Sequence, residues 1–211
     1  MTANPLYPVF LKLDQVPVLI VGAGPVGYEK LFFILKSSPN ARITVVAIEV
    51  SAEVEELLQQ YPHLEVRRRA YQPSDLEGNK LVIVATGIRE MGVQIREEAH
   101  ARNMLVNVAD TPDLCDLYLG SIVTRGNLKV AISTNGQSPT FAKRFRQMLE
   151  EVLPEEIPDL LQHLKAVRDR LSGDFEDKVK QLNDLTAQLL ETGPAPEQKT
   201  GSSSESSPET N

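Results

Sequence analysis

A short apolar run, Val16-Pro17-Val18-Leu19-Ile20-Val21, opens directly into Gly22-Ala23-Gly24-Pro25-Val26-Gly27 and then into an apolar segment ending near Lys36. Few arrangements of a chain satisfy that string. The run reads as a buried strand. The segment after it reads as a helix whose first turn tolerates Pro25. Gly22 permits the tight turn between them, Gly24 lets backbone approach a ligand's phosphates, and Gly27 lets helix and strand pack closely. Phosphates would rest on the amide-rich end of the helix. The glycine spacing alone is common; a strand before it and a helix after it are what give it meaning.

The rest of the chain repeats that alternation. Helix is expected over Pro25–Lys36, a second strand over Arg42–Ala47, and a helix over Ser51–Gln60 with Ser51 as N-cap. Glu53 and Glu55 favour the positive end of that helix. Further strands are expected over Leu64–Arg68, Lys80–Ala85 and Met104–Val108, with a helix over Gln94–Arg102. Strands alternating with helices make a parallel sheet covered on both faces. The pattern then changes. Leu119–Thr124 and Leu128–Ser133 flank Arg125-Gly126-Asn127, a hairpin signal. A basic amphipathic helix over Pro139–Val152 stops at Pro154, and helices over Pro158–Leu171 and Phe175–Leu190 are separated by Ser172-Gly173. After Gly193 large apolar residues almost vanish, so that tail is expected to be disordered. The fold class is α/β: a Rossmann-type parallel sheet, an antiparallel hairpin region, and a helical carboxyl-terminal region. The expected divisions are 1–112, 113–153, 154–192 and 193–211.

Glu49 stands about twenty residues beyond the glycines, where an acidic residue accepts hydrogen bonds from an adenosine ribose. The other reading is an exposed loop carboxylate. No Lys or Arg lies between Arg42 and Arg67, so a 2′-phosphate would meet Glu49 without a cation. NAD is therefore expected rather than NADP. Thr86 and Gly87 follow the fourth strand at the sheet edge where open α/β folds bind ligands. They read equally as cofactor contacts or as a simple strand-end turn.

Composition removes other classes. A net charge of −7 argues against general nucleic-acid binding. No stretch approaches the roughly 20 apolar residues a membrane span needs, and MTANPLYPVF has neither a basic leader nor an apolar signal core. The single cysteine, Cys115, fits a reducing cytoplasm. His63, His100 and His163 are scattered and form no metal-ligand pattern.

Asn107-Val108-Ala109-Asp110 ends the fifth strand at the ligand-binding edge. On spacing alone Asp110 is a candidate catalytic carboxylate or an ordinary loop anchor. Taken in order, Phe10-Leu11-Lys12-Leu13, VLIVGAGPVGYEK with Lys30, ITVVAIE, VIVATG, NVAD, DLCDLYLGS and AISTNGQSP resemble the precorrin-2 dehydrogenases. That family includes the amino-terminal module of multifunctional siroheme synthases and the dehydrogenase–ferrochelatases. The likeness runs over about residues 8 to 153, with a helical extension to about 190. NVAD combined with S-T-N-G-x-S-P is its most specific part.

The resemblance implies NAD-dependent oxidation of precorrin-2 to sirohydrochlorin, with ferrous ion insertion as a second activity. It makes Asp110 the catalytic candidate for both. It aligns Pro25, Val26, Ile48 and Glu49 with cofactor contacts and Ser133-Thr134-Asn135-Gly136 with the tetrapyrrole cleft, and Asn107 is read as substrate-facing beside them. Three positions depart from the family: Gly27 where alanine is frequent, Glu29 where arginine is common, and Asn135 for a frequent glycine. A substrate rich in carboxylates needs local basic surface. Lys143, Arg144 and Arg146 supply it on the helix capped by Ser138, with Arg125 and Lys129 as helpers; their other reading is the solvated face of an amphipathic helix. A carboxylate is a weak base in water and a stronger one when buried under a macrocycle. The apolar stripe Leu160, Leu161, Leu164, Val167 and Leu171, with the resemblance, implies a homodimer. Methylation of the tetrapyrrole is expected from a separate enzyme. The competing reading is a Rossmann module that senses NAD without catalysis.

Overall fold

The computed structural model describes residues 4–171 and 175–186. The chain divides into two compact units, Met1–Glu155 and Glu156–Asn211. The first unit begins with β1 (Val18–Ala23), α1 (Pro25–Ser37), β2 (Ile43–Val50), α2 (Ala52–Gln60) and β3 (Glu65–Arg68). It continues with β4 (Leu81–Val84), α3 (Arg89–His100) and β5 (Leu105–Val108). These strands form a five-stranded sheet in the order β3-β2-β1-β4-β5, every pair parallel. The chain winds outward from β1 on one side, then crosses to β4 on the other. That reversal leaves a crevice at the carboxyl ends of β1 and β4, the place where such sheets take ligands.

Strand alternation builds a core on each face. Val18 and Ile20 pack with Leu31, Leu35, Val54 and Leu57 of α1 and α2. Leu19 and Val21 face the other way, onto Ile95 and Ala99 of α3 with Leu76 and Met104. Each fully buried aliphatic side chain is worth about 1.5–3 kcal/mol, so β1, apolar on both faces, anchors the sheet.

Most boundaries fall within a residue or two of expectation, and the two larger differences among the described residues have identifiable reasons. β2 runs to Val50 rather than ending at Ala47, because a bulge between Val21 and Ala23 lets Ala23 pair with Val50. α3 begins at Arg89 rather than Gln94 and carries Gly92, a poor helix former. A Cβ at Gly92 would lie 2.8 Å from Val108 Cγ1, so the glycine is what lets α3 close on β5. Short 3₁₀ turns at Pro73–Leu76 and Pro112–Leu114 were not expected. The first orders Asp75, which is fully buried. Its carboxylate accepts from Arg67 Nη1 at 2.7 Å, Arg69 Nη2 at 2.5 Å and the Gln72 amide at 2.9 Å. The Arg69 hydrogen bond is the chief reason its pKa falls to about 2.

Beyond the sheet, β6 (Ser121–Arg125) and β7 (Leu128–Ile132) form an antiparallel pair closed by Gly126-Asn127, and α4 (Pro139–Val152) packs on β6. Ser51 and Ser138 cap α2 and α4 as expected, accepting from the Val54 amide at 3.4 Å and the Phe141 amide at 3.2 Å. Lys129 Nζ at the hairpin tip donates to the Ser37 carbonyl and, at 3.0 Å, to Ser37 Oγ. A cation thus satisfies the carboxyl end of α1.

The second unit holds α5 (Ile157–Arg170) and α6 (Phe175–Thr186). No residue of α5 is buried, and Leu160 is 38% exposed. The Ser172-Gly173 break, residues 187–190 of the expected last helix, and the tail after Gly193 lie outside the described residues.

Candidate active site

The glycine turn after β1 is a backbone device. Gly22 has φ +104°, and a Cβ there would meet the Ala85 carbonyl oxygen at 2.5 Å, so this position requires glycine. Gly27 lies so close under Gly22 that a Cβ would meet the Gly22 oxygen at 2.2 Å. That is tighter than the alanine frequent at this position elsewhere would allow without α1 moving away. Gly24 is the opposite case: a Cβ there would find nothing within 4 Å. Gly22 thus serves the turn and Gly27 the helix–strand contact, while Gly24 leaves open space at the start of α1.

The start of α1 completes the cradle. Gly24 is its N-cap, Pro25 stands in its first turn, no side chain caps it, and no acidic residue occupies its first turn. Serines cap α2 and α4; α1 has no side-chain cap and, unlike the helices beginning at Arg89 and Ile157 that also lack one, no acidic residue in its first turn, which leaves amides such as those of Val26 and Gly27 for an anion. This arrangement fits a dinucleotide's phosphates.

Other candidates gather at the same carboxyl edge. Ile48 and Glu49 lie at the end of β2, inside the strand rather than past it, both exposed, Ile48 at 74%. Thr86 and Gly87 follow β4. Thr86 Oγ1 accepts from the Ile88 amide at 3.3 Å and Gly87 has φ +70°. This edge carries little free positive charge beside Glu49. Arg68 of β3 pairs with both Glu55 carboxylate oxygens at 2.5 and 2.9 Å, while Arg67 and Arg69 are held by Asp75.

Asp110 follows β5 in a turn with φ +57° and is exposed. Asn107, by contrast, does not open to the cleft. It is 6% exposed, and its Nδ2 donates to the Leu117 carbonyl at 2.9 Å. That anchoring went unread in the sequence, because an asparagine in a strand carries no mark of its partner.

The remaining candidates belong to the hairpin and α4. Ser133 Oγ accepts from the Asn135 amide at 3.2 Å and Thr134 Oγ1 from the Ser138 amide at 3.1 Å, which shapes the turn. Asn135 and Gly136 both have positive φ, +52° and +75°. No hydrogen bond or ion pair among the described residues joins this turn to Asp110 or the glycine turn. Of the expected cations, Lys143 and Arg144 are exposed. Arg146 pairs with Glu150 at 2.5 Å, Arg125 donates to the Glu150 carbonyl, and Lys129 holds Ser37. The last three are structural, so the available basic surface is Lys143 and Arg144.

Residues 9–121 match the family described as putative NAD(P)-binding. The chain belongs to that family. Residues 125–151 of this NAD(P)-binding chain also match the central region of sirohaem biosynthesis proteins. It is 34% identical over 174 residues to a siroheme synthase of Methylococcus capsulatus, covering 82% of this chain and 34% of that protein. A siroheme synthase of Ectopseudomonas mendocina is 38% identical over 170 residues, covering 81% and 36%. The chain thus spans about a third of the length of these curated relatives. A solved structure named SirC, precorrin-2 dehydrogenase, superposes with a TM-score of 0.71 at 28% identity, over 85% of this chain and 89% of that one. The resemblance drawn from the motifs is thereby shown, and so is the Rossmann-type fold. Among the described residues no helix is long and apolar enough to cross a membrane.

Proposed function

We propose that the chain is a precorrin-2 dehydrogenase using NAD, yielding sirohydrochlorin for siroheme synthesis. The observation that carries this reading is the uncapped start of α1 behind Gly22 and Gly24 on the same sheet edge as Asp110. The similarity to SirC and the siroheme synthases supplies the substrate class.

When bound, NAD accepts the hydride, so the oxidation is carried by the cofactor and the protein supplies position and a base. The first-turn amides of α1, those of Val26 and Gly27 among them, would hold the phosphates, and Glu49 beside Ile48 would hold the adenosine ribose. Thr86 and Gly87 would line the cofactor at the end of β4. The occupied arginines at and just after β3, Arg67, Arg68 and Arg69, support NAD over NADP, because a 2′-phosphate would have to break existing ion pairs to gain a cation from them. Asp110 accepts the proton that balances hydride loss: precorrin-2 and NAD⁺ give sirohydrochlorin, NADH and one proton. Lys143 and Arg144, with the Ser133–Ser138 turn, receive the substrate's carboxylates.

Ferrous ion insertion belongs to this proposal as a second activity, the ion being substrate, with Asp110 taking protons from the macrocycle. A homodimer belongs to it as well. Phe141, Phe145, Met148 and Val152 make an exposed apolar stripe on α4, beside a two-stranded sheet too small to be stable alone. The free Cys115 thiol and the NAD pool support a cytoplasmic setting.

The test is an anaerobic assay of purified protein with precorrin-2 and NAD. Wild type should form sirohydrochlorin, and Asp110→Asn should lose about 100-fold or more of that rate, the usual scale for a general base, while still binding NAD. An Asp110→Asn variant with full activity would remove Asp110 from the chemistry. Bound NAD without oxidation by wild type would favour the sensing module.

A further inference from the structure

β5 is the last strand of its sheet, yet its outer edge is not open. The chain returns after the Pro112–Leu114 turn and lays residues 115–117 along it, mixing side-chain with backbone partners where a neighbouring strand would use backbone alone. The Val106 amide donates to Asp116 Oδ2 at 2.9 Å, and the Asp116 amide returns a bond to the Val106 carbonyl at 2.8 Å. One rung further, the Val108 amide donates to Cys115 Sγ at 3.3 Å. The Cys115 S–H lies 3.2 Å from the Val108 carbonyl and 3.4 Å from the Thr111 carbonyl. Asn107 Nδ2 reaches the Leu117 carbonyl at 2.9 Å and Cys115 Sγ at 3.5 Å.

Val108 and Thr111 are the two ends of the turn that displays Asp110. Cys115 touches both, and Asn107 fixes the returning segment from which Cys115 projects. The turn needs such holding, since Asp110 at φ +57° sits in a backbone region that non-glycine residues seldom adopt. On the other side, Arg89 pairs with Asp113 at 2.5 Å and clips the same loop to α3.

We propose that Cys115, on the segment that Asn107 anchors, is a positioning residue for the reaction: it holds the Val108–Thr111 turn so that the Asp110 carboxylate stands at the cofactor edge. This rests on the reading of Asp110 as the base and goes beyond it by assigning a residue that acts through Asp110. Burial raises the Cys115 pKa, which keeps the thiol protonated and able to donate at neutral pH.

The experiment uses the full chain carrying Cys115→Ala, Cys115→Ser, Cys115→Val, Asp110→Asn, or Cys115→Ala combined with Asp110→Asn. A displacement of about 1 Å at a reacting group costs about 100-fold in rate. Cys115→Ala should therefore lower kcat by roughly that factor, with the Kd for NAD and the KM for precorrin-2 within about twofold of wild type. Cys115→Ser keeps a donor and an acceptor and should restore most of kcat. Cys115→Val fills the space without hydrogen bonds, should match Cys115→Ala, and replaces it if that variant fails to fold. In the Asp110→Asn background, Cys115→Ala should cost nothing further, because its effect passes through Asp110. Wild-type kcat in both Cys115→Ala and Cys115→Val would overturn the proposal, as would an equal loss in both backgrounds. The two readings fail separately. An active Asp110→Asn sinks the base and the proposal with it; an inactive Asp110→Asn beside an active Cys115→Ala sinks only the positioning.

Discussion

Asn103, Asp110 and Asn135 are the non-glycine residues with positive φ among the described residues. Two of them fall at candidate functional turns. Asn and Asp visit this region more readily than other side chains, so Asp110→Asn keeps the backbone while removing the charge, which makes it a clean test of chemistry. Asn135 explains one departure from the family: a frequent glycine can be replaced there because asparagine also tolerates φ +52°. The residue types at these turns were legible in the sequence; the strain was not, because φ depends on how the returning chain is tied down. The glycines separate geometry from ligand contact. Gly22→Ala should destabilise by about 3 kcal/mol from its positive φ and its clash with Ala85. Gly24→Ala should leave thermal unfolding within about 0.5 kcal/mol of wild type. It should nevertheless weaken NAD at least about tenfold, roughly 1.4 kcal/mol, by filling the open space. Calorimetry and NAD titration on both variants check the pair, and equal stability loss in both would contradict it.

At the scale of elements, β1, β2, β4 and β5 were legible as apolar runs bounded by turn residues, β3 only as a weak alternation over Leu64–Arg68, and Ser51 and Ser138 marked helix starts. What escaped notice depends on contacts between distant residues. The bulge that extends β2 needs β1 as partner. The Asp75 cluster joins the Arg67–Arg69 edge to a 3₁₀ turn, and three consecutive arginines alone do not reveal a buried acceptor. Its energetics have a definite sign. A carboxylate with an unfolded pKa of about 3.9, lowered on folding to about 2, stabilises the fold above pH 4 or so. That contribution disappears as pH falls toward 2. Asp75→Asn should cost about 1.5–3 kcal/mol at pH 7, the range for hydrogen bonds to a charged group, and should flatten stability between pH 4 and 2. Urea melts across that range check it; an unchanged slope with pH would show that the cluster contributes little.

For the whole molecule, the parallel sheet, the hairpin and the helices were legible as a fold class, while the order of the strands and the placement of the substrate turn relative to Asp110 were not. In the proposed homodimer a second copy would cover the exposed stripe on α4. Light scattering should find a dimer, and Phe145→Glu should shift it toward monomer; a monomeric wild type at micromolar concentration would contradict that. The account as a whole turns on one reaction. Anaerobic precorrin-2, NAD and purified protein should give NADH and sirohydrochlorin in equal amounts, followed together by absorbance. Sirohydrochlorin no faster than in the protein-free control, with NAD bound, would contradict it.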